Sequence, residues 1–257
     1  MDRLARTPEL LDGPLEPETL AGNLRDLARI NHWLGGARLS RLALERLAWS
    51  GGPRLAVLDV GTGGADIPLR LLEAWSGSTD LTIVGVDSRP EVLDAARRVQ
   101  PAIDEAPGLR LELGDGTRLP FSDGQFDVAH ASLVLHHLEP AEAVTMLREM
   151  RRVARRAVVI NDLQRARIHW LGAWLLGHLL TRNAYTRNDA PLSVRRAYTA
   201  REMSRLLVEA GLRPRSIERG FLGHRWAILA EVTGAAGGAA QVGGASSTAS
   251  AAPGAAP

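Results

Sequence analysis

Three aspartates stand 28 residues apart along the chain: Asp59, Asp87 and Asp115. Each follows a short apolar run and has a glycine within two residues: Val57-Leu58-Asp59-Val60-Gly61, Val84-Gly85-Val86-Asp87 and Leu113-Gly114-Asp115-Gly116. A carboxylate at a strand end accepts paired hydrogen bonds from ribose hydroxyls. A short acid flanked by glycine can accept the exocyclic amine of an adenine. Between the first acid and Asp66 lies Gly61-Thr62-Gly63-Gly64. Such a turn permits tight dihedrals and close backbone approach. The helix it opens offers free N–H groups and partial positive charge to an anionic group. A dinucleotide loop of the form G-x-G-x-x-G would want glycine where Asp66 stands, and a carboxylate there would face the phosphates. The plain alternatives are a structural turn for the glycines and a helix cap for the 87–88 pair.

The other reactive side chains lie later. His136 and His137 follow a short apolar run. His136 is the candidate general base, a function that contributes roughly 10²–10⁴ in rate. His137 is read as capping the following loop or helix. Asp162 ends a later run, to orient a substrate or cap the next segment. The seven histidines show no H-E-x-x-H spacing, so no metal centre is expected. All 31 basic residues are arginine, which excludes a P-loop lysine and a Schiff base. The chain has no cysteine, which excludes thiolate nucleophiles and cysteine-ligated zinc, and it has no G-x-S-x-G elbow. What remains is chemistry carried by a bound cofactor, by positioning, or by histidine and carboxylates.

The elements that must position these groups alternate. Leucines at helical spacing mark two N-terminal helices, over 20–34 and 39–47, split by Gly35-Gly36. Strands are expected at 54–60, 81–86, 109–113, 126–132 and 156–161. Helices are expected at 65–75, from a Ser88 N-cap to about 100, and at 140–153. This alternation implies a parallel sheet covered on both faces. An irregular helical stretch spans 163–198, with the run 187–196 read as an ordered loop. Thr199-x-x-Glu202 is a capping box for a helix ending at Gly211. Strands near 214–220 and 225–232, joined around Gly223, can pair as an antiparallel hairpin. The Ala/Gly-rich segment 233–257 is expected to be disordered.

Four segments in this order resemble the class I S-adenosylmethionine-dependent methyltransferases, within them the type 11, ubiquinone/menaquinone-methyltransferase-like group. They are VLDVGTGGADIP (57–68), VGVDSRPEVLDAAR (84–97), LELGDGTRLPFSDGQFD (111–127) and VAHASLVLHHL (128–138). The resemblance covers about residues 55–162. It implies a Rossmann-like, seven-stranded, mostly parallel α/β sheet with helices on both faces and an antiparallel C-terminal strand. It also implies S-adenosyl-L-methionine as cofactor and methyl transfer as activity. Asp59, Gly61, Thr62 and Gly63 would frame its methionine end. Asp87 would hold the ribose hydroxyls, with Ser88 beside the adenine, and Asp115 would take the adenine amine next to Gly116. Ala131 and Ser132 would lie near the sulfonium. The expected organisation is an N-terminal helical cap (1–50), the cofactor-binding domain (51–232) with a lid insertion (163–198), and the tail.

The acceptor side is read from position. The apolar stretch with His169, Trp170 and Trp174 follows the fifth strand and is read as a lid over an apolar substrate. Burial as plain core is the alternative, and a membrane-surface helix the third. Asn31 and Trp33 would close the pocket from the N-terminal side. Arg187 or Arg195 would pair a substrate carboxylate. Residues 1–147 carry 14 Arg and 22 Asp/Glu, and residues 148–257 carry 17 Arg and 7. That basic half suits an anionic partner, but aromatics are not interleaved with the arginines as on a base-stacking surface. The expected acceptor is therefore an apolar or anionic small molecule, aromatic, quinone-like or polyketide, rather than nucleic acid. An RNA methyltransferase, a nicotinamide-dependent oxidoreductase and a catalytically silent partner subunit are the competing readings. Absence of cysteine and of a secretory h-region points to the cytoplasm.

Overall fold

A computed structural model describes residues 1–47, 54–75 and 80–233. The expected disordered segment lies outside the described residues, apart from Thr233. The elements run α1 (Pro17–Trp33), α2 (Gly36–Glu45), β1 (Arg54–Val60), α3 (Asp66–Trp75), β2 (Asp80–Asp87), α4 (Pro90–Val99), α5 (Ala102–Glu105), β3 (Leu109–Leu113), β4 (Phe126–Ser132), α6 (Pro140–Val153), β5 (Ala154–Leu163), α7 (Arg167–Leu180), α8 (Ala184–Arg196), α9 (Ala200–Glu209), β6 (Leu212–Arg219) and β7 (Arg225–Val232). They build a seven-stranded sheet in the order β3-β2-β1-β4-β5-β7-β6. The pairs among β1 to β5 are parallel, and β7 runs antiparallel to both β5 and β6. The parallel sheet expected from the alternation and the Rossmann-like, seven-stranded arrangement implied by the resemblance are both observed.

Successive strand residues serve opposite faces. Leu58, Val158 and Ile228 pack with Met146, Met150, Met203 and Leu207 of α6 and α9. Val57, Val159 and Leu229 pack with Leu39, Ala43 and Leu44 of α2 and with Ile67 and Leu71 of α3. α2 therefore belongs to the same core as the sheet. Strand order reverses between β1 and β4, and the carboxyl ends there form the crevice where open α/β sheets bind ligands.

Three local expectations are corrected. α4 is capped by Arg89, not Ser88, whose position is exposed outside the helix; Asp87 accepts the Arg89 N–H at 3.2 Å and Pro90 fills the first helical position. The run read as a loop at 187–196 is most of helix α8, with Pro191 inside it. Proline removes one ladder bond, but the helix is tied at three points. Asn183 accepts the Thr186 N–H, the Asp189 carboxylate accepts the Leu10 and Leu11 N–H groups, and Arg196 binds the β4 loop. The stretch 163–198 is thus a helical hairpin, and of its two members α7 is not buried.

Candidate active site

On the cofactor side, β1 ends in a turn whose backbone is left-handed at Gly61 (φ 71°) and Gly63 (φ 53°). A Cβ on Gly61 would lie 2.5 Å from Cγ2 of Val134, so the β4 loop closes directly on this turn. A Cβ on Gly63 would meet nothing within 4 Å, leaving open space beside the backbone. The Asp87 carboxylate accepts the Gly63 N–H at 3.1 Å and reaches the turn from the next strand. Burial pushes the Asp87 carboxyl above the usual range, against the N–H bonds from Gly63 and Arg89 that favour its charge. Asp115 is exposed, and one of its oxygens accepts both the N–H and the hydroxyl of Thr117. Gly116 lies against Val60, where a Cβ would fall 2.9 Å from Cγ1. Oγ1 of the buried Thr62 has no hydrogen-bond partner. An unsatisfied hydroxyl, an open glycine shoulder and two carboxylates along one sheet edge fit a nucleoside-bearing ligand with hydroxyl and amine donors.

Two expected contacts take a different form. Asp59 is buried, and its carboxylate accepts from Nδ1 of His130 at 2.6 Å. Its side chain lies under the glycine turn, on the α2 face. Ala131 is fully buried in the core cluster, so its methyl packs inward.

Asp59 and His130 begin a buried polar row that sequence reasoning missed. Nε2 of His130 lies 2.8 Å from Ser40 Oγ, which accepts from Asn161 Nδ2 at 2.7 Å. Oδ1 of Asn161 accepts from Arg225 Nε at 2.7 Å. The same guanidinium donates to Asn31 Oδ1 at 2.6 Å and to Ser132 Oγ at 2.7 Å, and Asn31 donates to Asp66 at 3.0 Å. Asn31, expected to touch substrate, is thus a buried strut between Arg225 and Asp66. Burial lowers the Arg225 pKa to about 10, with the charges of Asp162 and Asp66 opposing that shift. The row crosses β1, β4, β5 and β7 and fixes how their carboxyl ends sit relative to one another.

At the β4–β5 edge, His136 sits in the 3-10 turn Leu135–His137. Its Nδ1 pairs with Asp162 Oδ1 at 2.8 Å, and its backbone N–H donates to the other carboxylate oxygen at 3.2 Å. Burial alone would raise the Asp162 carboxyl. The charge and hydrogen bond of His136 and the Leu163 N–H reverse this and hold it below the usual range. Asp162 is therefore the acceptor that fixes the imidazole tautomer, leaving Nε2 as its basic nitrogen. That nitrogen looks toward Glu9 Oε1, 3.9 Å away. Glu9 is 3% exposed, and Oε1 has no hydrogen-bond partner. Burial raises its pKa to about 7 against the pull of His137, with Asp189 adding to the rise.

The N-terminal segment that carries Glu9 is strapped across the sheet edge. Arg89 donates to the carbonyls of Leu11 and Gly13, and Arg196 to those of Thr7, His136 and His137. Arg196 also pairs with Asp12 at 2.7 Å, and Asp12 accepts from His137 at 3.0 Å. Glu9, His136 and His137 bring three potential ligand atoms within 4.8 Å of one another, the one such cluster among the described residues. The Arg196 guanidinium already supplies positive charge 3.9 Å from Glu9.

The remaining expected substrate contacts disperse. Arg187 and Arg195 are exposed, and their neighbour Arg196 is the buried cation at the histidines. Trp33 is exposed at the end of α1. His169 binds the carbonyls of Gln164 and Leu222, Trp174 stacks on His178, and both Trp170 and Trp174 lie on the exposed helix α7. Glu9, Arg196 and Arg225 were missed. Nothing in the sequence sets them apart from solvated charges: Arg196 follows Arg195 and Arg225 follows His224.

The 61–63 turn, the Asp87 carboxylate that reaches it and the His136–Asp162 pair all lie at the carboxyl edge around the switch point of this sheet. Residues 57–157 match the family model described as a methyltransferase domain. The chain is similar to a demethylmenaquinone methyltransferase of Beutenbergia cavernae, 35% identical over 153 residues, 54% of this chain and 55% of that one. It is also similar to a ubiquinone/menaquinone biosynthesis C-methyltransferase of Geobacter sp. strain M21, 31% identical over 116 residues, 45% of this chain and 47% of that one. The chain spans about half the length of the curated relatives it matches. A solved SAM-dependent methyltransferase of Aquifex aeolicus shares the fold, with a TM-score of 0.58 at 18% identity over 85% of this chain and all of that one.

Proposed function

We propose that the chain binds S-adenosyl-L-methionine along the β1–β3 edge and methylates an oxygen or carbon of an apolar aromatic, quinone-like or polyketide molecule in the cytoplasm. Asp87 would hold the ribose hydroxyls, Asp115 the adenine amine, and the 61–63 turn with Thr62 the methionine end. The cofactor supplies an electrophilic methyl on a sulfonium, so the protein's task is alignment and proton removal. Nε2 of His136 takes the proton of the acceptor hydroxyl or enol as its nucleophilicity develops, and Asp162 holds the ring and balances the imidazolium. Glu9 closes the far side of that nitrogen and keeps water out. Arg196 fixes the backbone of both histidines and so positions the base.

The observation that carries this reading is the His136–Asp162 pair at the β4–β5 edge, next to the loop that closes on Gly61. The quinone-linked names of two relatives support the quinone-like end of the acceptor class. The nicotinamide reading loses its footing because Asp66 occupies the third-glycine position and is tied to Asn31. The test is methyl transfer from labelled cofactor to a panel of quinols, phenols and polyketide phenols. Label should enter an apolar acceptor, and His136→Ala should slow transfer by roughly 10²–10⁴ while binding cofactor normally. A His136→Ala enzyme as fast as wild type would contradict the assigned base.

A further inference from the structure

Helix α7 inverts the usual amphipathic arrangement, in which the apolar stripe faces the protein. Its buried residue is Gly177, and the small residues Gly172 and Ala173 are half-buried. A Cβ on Gly177 would lie 3.5 Å from Arg187 Cα, so α7 lies against α8 by its small side. Its large side chains are exposed: Ile168 by 69%, Leu179 by 76%, and Trp170, Leu171, Trp174, Leu175, Leu176 and Leu180 by 36–54%. A second apolar projection adjoins it. Leu222 is 80% exposed and Phe221 69%, and the Leu222 carbonyl lies 3.3 Å from His169 Nε2 of α7. Leu222 holds φ at 51°, a left-handed conformation costly for leucine, and strain of this kind concentrates at functional sites. Contiguous exposed apolar surface on this scale marks an interaction site.

The charges around the patch select the occupant. Residues 163–188 contain no acidic residue, while Arg167, Arg182 and Arg187 are exposed at or beyond the ends of α7. A second copy seated face to face would bring arginines against arginines with no acid in the segment to pair them. A bilayer spans about 30 Å of hydrocarbon, and no described helix is long and apolar enough to cross it. A helix with Trp and Leu on its outer face and arginines at its rim suits the plane of the interface, with the arginines reaching to phosphates.

We propose that the outer face of α7, together with the 221–222 turn, docks the protein on an anionic lipid surface. Leu163, the last residue of β5, pairs with Arg225 at the start of β7, so α7 and the 221–222 turn emerge at the same carboxyl edge as His136 and Asp162. Docking would turn that edge toward the bilayer in which an apolar acceptor dissolves. The surface does not depend on the methyl-transfer reading, and its test has no activity readout.

The full chain is floated with vesicles of phosphatidylcholine containing phosphatidylglycerol, and with phosphatidylcholine alone. The expected result is partition onto the anionic vesicles that weakens as salt rises. Ile168→Glu/Leu175→Glu/Leu179→Glu should weaken it by roughly tenfold or more while leaving circular dichroism and cofactor affinity unchanged. Arg167→Ser/Arg182→Ser, which keeps every apolar side chain, should weaken it less and remove most of the salt dependence. Failure to partition onto anionic vesicles overturns the proposal, as does equal binding to neutral ones. A dimer in sedimentation velocity that the triple variant dissociates would instead assign the face to a second copy.

Discussion

The two halves of the sheet's carboxyl edge are built in different ways. The β1–β3 half is assembled from contiguous motifs: a glycine turn, an acid at the next strand end and an acid at the third. The β4–β5 half is assembled across the chain. Glu9 faces His136, and Arg196 ties positions 7, 12, 136 and 137. The first half can be read off a short window of sequence because strand, turn and helix start place their own side chains. The second exists only once the N-terminal segment and α8 have packed over the sheet. A cofactor shared across a family suits a local motif, whereas an acceptor site is shaped by whatever segments are laid over the edge.

The comparison is broken most severely at its junction, Arg225, whose guanidinium joins β4, β5 and α1. Arg225→Met should leave Asn31, Asn161 and Asp66 without their buried cation and cost about 3–5 kcal/mol. At roughly 2–4 °C per kcal/mol for a domain of this size, the melting temperature should fall by about 6–20 °C in calorimetry. An unchanged melting temperature would mean the row is not a structural joint.

A cut in one half should leave the other intact. His136→Ala should lower kcat by roughly 10²–10⁴ and leave cofactor binding as in wild type. Asp162→Asn should act in the same direction, with its pH–rate profile displaced, because the imidazole loses its charged partner. Gly61→Ala should do the reverse: its Cβ collides with Val134 in a left-handed backbone, so cofactor affinity should fall as well as stability.

Glu9 sharpens the contrast through pH. Its folded pKa, about 7, lies above the ordinary 4.5. Stability from the protonated form is therefore full below pH 4.5 and is lost as pH rises through 7. Glu9→Gln should match wild type at low pH and exceed it above pH 7, by up to about 3 kcal/mol at 1.36 kcal/mol per unit. Parallel denaturant titrations of the two proteins read this difference directly. The smallest effect belongs to Arg187→Ala: the side chain is exposed, and substrate KM should stay within about twofold.

The sequence carried the fold, and the residues proposed for the cofactor edge stand in short local motifs. Strand and helix periods, the Thr199 capping box and the spacing of the three aspartates are local properties, and the seven strands appeared within a few residues of their expected bounds. Position 187–196 misled because Pro191 and a run of polar donors look like a loop, while the ties that stabilise a helix there come from residues 10, 11 and 136. Arg187 and Arg195 drew attention as charges beside an expected pocket. Arg196 is the residue the fold buries, and adjacent arginines cannot be ranked without knowing which one faces inward. The apolar side chains of α7 left burial as plain core as an alternative to a lid, and that alternative is overturned by the small residues that let α8 approach its other side.

S-adenosylmethionine is proposed to lie along the β1–β3 edge, held by Asp87 and Asp115. Titration calorimetry of the full chain with S-adenosylmethionine, NADH and NADPH, with Asp87→Ala in parallel, tests it most directly. Micromolar-range binding of S-adenosylmethionine alone, lost in Asp87→Ala, is the predicted result. Preference for a nicotinamide nucleotide, or full affinity retained in Asp87→Ala, would contradict it.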